Sequence, residues 1–306
     1  MGFYSIFLSI MTLFVVGLIG LISIKAKIIN EAMTDNIPRF IMNVTLPALI
    51  LVSMQLPFEK EKLIDIPRMF LVMAIMYLIQ MIVGGLIGKL LSCNNKDRGI
   101  YQFMMMFSNS AFMGFPVMMS IFGQEAVFYA ALANLPFNIL VFTVGVYMLD
   151  SRSTSINFRN LVSPAMVATI TGIVFYIFSI KIPNLIAEPL IIIGNLTTPL
   201  SMVFIGASLT NVKISSIFFN KKLYLISILR LIVIPVSLIL IIQNLSLSLI
   251  VKGVPVIISA MPVATFCAIL TKEHDGNINL ASQGIFMTTL LSLFTIPIVV
   301  FIYCNI

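Results

Sequence analysis

Apolar residues run along this chain in blocks of about twenty, and polar residues gather between the blocks. Charge-free windows cover residues 3–24, 40–58, 69–88, 99–124 and 126–149 in the first half. In the second half they cover 160–180, 189–212, 253–271 and 276–306, and a further apolar stretch, 223–242, is interrupted only by Arg230. A hydrocarbon core about 30 Å thick is crossed by about 20 helical residues, so the pattern predicts ten transmembrane helices. The first window has no basic leader and no small-residue cleavage site, and it is long enough to span, so it reads as a helix rather than a secretory signal.

Composition narrows the class. The chain has 306 residues, of which 60% are hydrophobic and 9% charged; a soluble domain carries about 25% charged residues. The expected class is an all-α polytopic membrane protein. The net charge of +7 does not point to nucleic acid, because the basic residues are spread between apolar runs instead of forming a patch. Cys93, Cys267 and Cys304 are too widely spaced for a disulfide framework or a metal knuckle. No cofactor is expected.

The basic residues set an orientation. With the N-terminus outside, the cytoplasmic connections hold Lys25, Lys27, Arg39, Lys89, Lys96, Arg98, Arg152, Arg159, Lys213, Lys221, Lys222 and Lys272. The outer ones hold only Lys60, Lys62, Arg68, Lys181 and Lys252. Twelve against five favours both termini outside the cell membrane.

The halves repeat. Asn43, Thr45 and Pro47 in the second helix match Asn195, Thr197 and Pro199 in the seventh, as Asn-x-Thr-x-Pro 152 residues apart. Phe115-Pro116-Val117 in the fourth matches Met261-Pro262-Val263 in the ninth, at an offset of 146. Five helices per half make the second half cross the membrane in the opposite sense, an inverted repeat of the kind transporters use. The expected organisation is a first repeat over 1–149, a short cytoplasmic linker over 150–160 and a second repeat over 161–306.

In such folds, paired helices interrupted by Gly or Pro mark the substrate site. The fourth helix is interrupted over Ser108-Asn109-Ser110-Ala111-Phe112-Met113-Gly114-Phe115-Pro116, the ninth over Ser259-Ala260-Met261-Pro262-Val263-Ala264-Thr265. Pro116 and Pro262 lack a backbone donor. Gly114 permits unusual backbone angles. Asn109, Ser110 and Thr265 can bond freed backbone groups or a ligand. Ordinary proline kinks are the plain alternative. Asn43, Thr45, Asn195 and Thr197 either line the substrate path or rebond kinked backbone.

These residues resemble the auxin efflux carrier family. Asn109, Gly114 and Pro116 fall in register with its Asn-x-x-x-x-Gly-x-Pro signature. Asn43 with Pro47-Ala48-Leu49, Thr198-Pro199-Leu200 with Gly206-Ala207-Ser208-Leu209, Met261-Pro262-Val263-Ala264-Thr265, and Leu290-Leu291-Ser292-Leu293 with Pro297 are similar to its other elements. The plant members' long hydrophilic loop is absent here, so auxin transport is not carried over. The resemblance implies a scaffold of helices 1, 2, 6 and 7 that forms a homodimer surface. It implies a mobile domain of helices 3–5 and 8–10, with broken helices 4 and 9 crossing at Pro116 and Pro262, and elevator-like alternating access.

The spans contain no Asp or Glu, the usual intramembrane proton or cation relay. Half-helix N-termini carry partial positive charge and free N–H groups. Together these favour a small organic anion, a mono- or dicarboxylate, as substrate, with possible H+ or Na+ coupling. A sodium-coupled organic anion symporter of the bile-acid type and a membrane sensor are the rival readings. An enzyme would need a nucleophile with its base or a metal motif inside the spans. Arg230 lies nine residues after Lys221, a depth from which its side chain can snorkel to the cytoplasmic interface or pair with a helix end; a substrate countercharge is the other reading. His274, in Lys272-Glu273-His274-Asp275-Gly276, reads as part of a solvated loop.

Overall fold

The computed structural model describes residues 3–91, 95–150, 162–209 and 220–306. Most of the expected linker, with Arg152 and Arg159, lies outside them, as do Cys93 and Lys213. Among the described residues the chain is all helix apart from short connections and one isolated antiparallel bridge.

Helix α1 is Phe3–Lys25. α2 runs through Glu31–Phe40, a widened π-turn at Ile41–Thr45, and Leu46–Ser53. α3 is Lys60–Leu91. α4 is two pieces, α4a (Asn95–Met106) and α4b (Ser110–Phe122), the second opening on a π-turn at Ser110–Gly114. α5 is Gln124–Leu149, with a π-turn at Val141–Gly145. α6 is Pro164–Ile177. α7 bends between α7a (Asn184–Asn195) and α7b (Thr197–Ser208). α8 is Lys221–Ile242, with a π-turn at Leu229–Val233. α9 is split into α9a (Leu249–Ala260) and α9b (Phe266–Glu273), and α10 is Ile278–Asn305.

Seven of the helices are long and apolar enough to cross a membrane: α1, α2, α3, α5, α7, α8 and α10. α4b, α6 and α9a are apolar but shorter. At 1.5 Å per residue the 14 residues of α6 extend about 21 Å, less than a hydrocarbon core.

Helix ends depart from the charge-free windows. α2 starts at Glu31, with Asn30 accepting a hydrogen bond from the N–H of Met33 as its cap. α3 starts at Lys60, nine residues before the apolar window. Its first turns hold Arg68 against Asp65 at 3.3 Å, and Lys62 reaches both Glu59 at 3.3 Å and Glu125 at 3.2 Å. Helix geometry tolerates charge where water is present, so an apolar window measures the membrane and not the helix.

Three π-turns have a common cause. Pro47, Pro116 and Pro235 each follow the end of a π-turn by two residues. Proline lacks an N–H and its ring crowds the carbonyl four residues back; a widened turn gives that carbonyl room.

Small residues set the tightest packing. α1 lies along α7b with backbone on backbone. A Cβ at Gly206 would fall 1.7 Å from the carbonyl oxygen of Gly17, and one at Gly20 would fall 2.0 Å from that of Val203. α2 meets α7a in the same way, where a Cβ on Gly194 would sit 2.9 Å from the Leu49 backbone. Within the bundle, α4b, α5 and α9a are largely buried.

Connections from both halves meet at each end of the bundle. At one end Asn277 Nδ2 donates to Asp97 at 3.3 Å, His274 faces Asp150 at 3.7 Å, and Lys222 donates to the Leu91 carbonyl at 2.6 Å. His274 is half-buried beside Asp150 in an otherwise largely exposed polar loop. At the other end the Tyr176 hydroxyl accepts from the N–H of Glu59 and donates to its carbonyl, while Gln55 accepts from the N–H of Ile182.

Candidate functional site

The breaks in α4 and α9 meet. Ser108 and Val263 form an antiparallel bridge. On one side of it the N–H of Asn109 donates to the carbonyl of Pro262 at 2.8 Å; on the other the N–H of Ala264 donates to the carbonyl of Phe107 at 3.0 Å. Two extended segments thus satisfy each other's backbone where no helix can. That pairing is what allows irregular backbone inside an apolar bundle.

Each local fold follows from its sequence. Asn109 has φ −75° and ψ 65°, and the N–H of Ser110 returns to the carbonyl of Ser108 at 2.8 Å, an inverse γ-turn. The Asn109 side chain then caps α4b by accepting from the N–H of Phe112 at 3.2 Å. In α9, Met261 is extended at φ −69° and ψ 150°, as a residue before proline prefers. The N–H of Val263 is taken by the Thr288 hydroxyl of α10 at 3.1 Å, and that hydroxyl donates to Gly284 at 2.7 Å.

Two helix N-termini, those of α4b and α9b, start from this crossing. Among the described residues the N–H groups of Ala111, Thr265 and Phe266 donate to no protein acceptor. Aligned peptide dipoles give each such terminus about half a positive charge. Ser108, Asn109 and Ser110 are buried, at 2%, 4% and 2% exposure, so an occupant here would be shielded from water. No Asp or Glu is buried among the described residues. The environment is neutral in side chains and positive in backbone.

The expected site residues divide. Asn109, Ser110, Pro262 and Thr265 lie at the crossing. Pro116 does not: the crossing pairs Ser108 with Val263, and Pro116 lies inside α4b, past its π-turn. Gly114 has ordinary helical angles, φ −63° and ψ −48°, and a Cβ there would meet nothing closer than 3.5 Å. Asn43 and Asn195 are exposed, and the amide of Asn43 donates to the Arg39 carbonyl of its own helix. Thr45 and Thr197 are fully buried and their hydroxyls have no partner. α7b also reaches the crossing, where Phe204 packs on Phe112 with ring centroids 5.1 Å apart.

Two residues went unrecognised in the sequence. Asn134 of α5 accepts from the Ser110 hydroxyl at 3.4 Å. Asn138, one turn on, is 3% exposed and its amide Nδ2 has no partner. Amides four apart in an otherwise apolar helix share one face, and that spacing was the available signal.

Of the two forms of the first reading, Arg230 pairs with a helix end and does not snorkel. It is fully buried in the π-turn of α8, and its Nη1 donates to the Met105 carbonyl at 2.5 Å, near the end of α4a.

Long apolar helices, two of them broken where they meet inside the bundle, define a polytopic membrane protein. The sequence matches the profile of a membrane transport protein family over residues 5–159 and 151–300, and the chain belongs to that family, the auxin efflux carrier family of transporters. It is 27% identical over 307 residues to an uncharacterized transporter of Methanothermobacter thermautotrophicus, covering 95% of this chain and 96% of the relative. It is 23% identical over 298 residues to an uncharacterized transporter of Methanocaldococcus jannaschii, covering 94% and 96%.

Proposed function

We propose that this transporter moves a small organic anion, a mono- or dicarboxylate, bound at the α4–α9 crossing. The observation that carries the reading is the pair of half-helix N-termini with unpaired N–H groups, that of α4b buried and that of α9b half-buried, beside neutral polar side chains and no buried acid. A carboxylate accepts from such donors without needing a fixed countercharge. Asn109, Ser110 and Thr265 would complete its shell, with Asn138 offering a further donor. Thr45 and Thr197 would border the path from the α2 and α7 side.

In this reading the helices form ten spans in two inverted repeats, 1–149 and 161–306, with both termini outside the cell membrane. The repeated Asn-x-Thr-x-Pro and proline elements, and the bias of basic residues to one set of connections, support it. α1, α2, α6 and α7 would stay fixed in a homodimer while the domain carrying the crossing slides, elevator-like, across the bilayer. H+ or Na+ would couple at the same domain.

The test is uptake of a labelled carboxylate panel into proteoliposomes, with and without proton and sodium gradients. Saturable uptake of one or more carboxylates above that of empty liposomes is expected. Uptake confined to cations or neutral solutes would overturn the reading, and strict sodium dependence would make the protein a symporter of the bile-acid type.

A further inference from the structure

Arg230 poses a problem that the crossing does not solve. Its guanidinium is fully buried, yet Nε and Nη2 have no partner. A guanidinium keeps its charge in proteins and offers five N–H donors. The single bond made, by Nη1 to Met105, draws on the negative end of α4a and offsets only part of that charge. Buried charges are ordinarily paired, but the ion pairs of the described residues lie elsewhere and none of their acids is buried.

No acid faces Arg230 among the described residues. Tyr77 of α3 and Cys267 of α9b are close enough to interact electrostatically with the guanidinium. The Tyr77 hydroxyl is buried without a partner. Gln80, one turn along α3, is fully buried with both amide atoms unpartnered. Cys267 is the second residue of the eight-residue helix α9b.

We propose that Arg230 and the Tyr77 hydroxyl form a buried subsite for one compact monovalent anionic group. A halide ion and a carboxylate share the chemistry it recognises. The group accepts from the free guanidinium N–H groups and from Tyr77, and its charge balances Arg230. Met105 precedes the crossing residue Phe107 by only two positions, so occupancy also fixes the end of α4a beside the transport site. The subsite does not depend on what the crossing carries: uptake and anion binding at Arg230 can fail separately.

The test is the thermal-unfolding midpoint of the purified full chain at constant ionic strength, with potassium sulfate replaced stepwise by potassium chloride or by potassium acetate. A saturable rise with at least one of the two is expected for the wild type. A rise with chloride identifies an inorganic resident ion; a rise with acetate alone identifies an organic carboxylate. Arg230→Gln should be flat, and Tyr77→Phe should raise the half-saturating concentration at least fivefold. If Arg230→Gln does not fold, Tyr77→Phe decides. No rise in the wild type, an equal rise in Arg230→Gln, or an unchanged half-saturation in Tyr77→Phe would overturn the proposal.

Discussion

The backbone N–H of Asn109 bonds the carbonyl of Pro262 across 2.8 Å, joining residues 153 positions apart in the chain. With its counterpart from Ala264 to Phe107, this bond holds two broken helices at one point. The loss of helix is thereby compensated, and the N–H groups of Ala111, Thr265 and Phe266 are left without a protein acceptor among the described residues.

Thr288 is the outside support of this crossing. Thr288→Val keeps the shape but leaves the Val263 N–H buried without an acceptor, which costs about 1–3 kcal/mol. A lower unfolding midpoint is expected, with restoration by Thr288→Ser. An unchanged midpoint in the valine variant would contradict the assignment.

Asn138 tests the ligand shell without disturbing the crossing. Its amide Nδ2 is already unpartnered, so Asn138→Ala should leave stability nearly intact. If it donates to the substrate, affinity should fall by about 3- to 10-fold, the worth of one hydrogen bond. Carboxylate binding to the purified variant measures this.

The α1–α7b contact admits no side chain. Gly206→Ala would drive a Cβ into the Gly17 carbonyl, 1.7 Å away, and overpacking costs about 1–3 kcal/mol. Gly85→Ala meets nothing within 4 Å and serves as the control. The first should lower the unfolding midpoint and the second should not; equal midpoints would show that the two helices separate freely.

Much of this was legible in the apolar spacing, because the bilayer imposes it. Helix ends were not: Lys60, Glu61, Asp65 and Arg68 continue α3 beyond its apolar window, where water accepts their charge. Pro262 marked its break correctly because Met261 before it must be extended. In the other, the break comes at Ser108 and Asn109, at the start of the expected interruption, and the Asn109 side chain caps the next helix; Pro116, following a π-turn, sits in the helix without breaking it. The depth of Arg230 could be counted from Lys221, but depth does not say which way a side chain turns. In the fold it turns to the Met105 carbonyl, from a helix more than a hundred residues away in sequence.

Equilibrium binding of the transported carboxylate to wild type and Asn109→Ala tests the central claim most directly. Asn109 caps α4b at the crossing, and its loss both unties Phe112 and removes a polar ligand. With both proteins folded, the dissociation constant should rise at least tenfold in the variant, about 1.4 kcal/mol. Equal affinities would place the substrate somewhere other than the α4–α9 crossing.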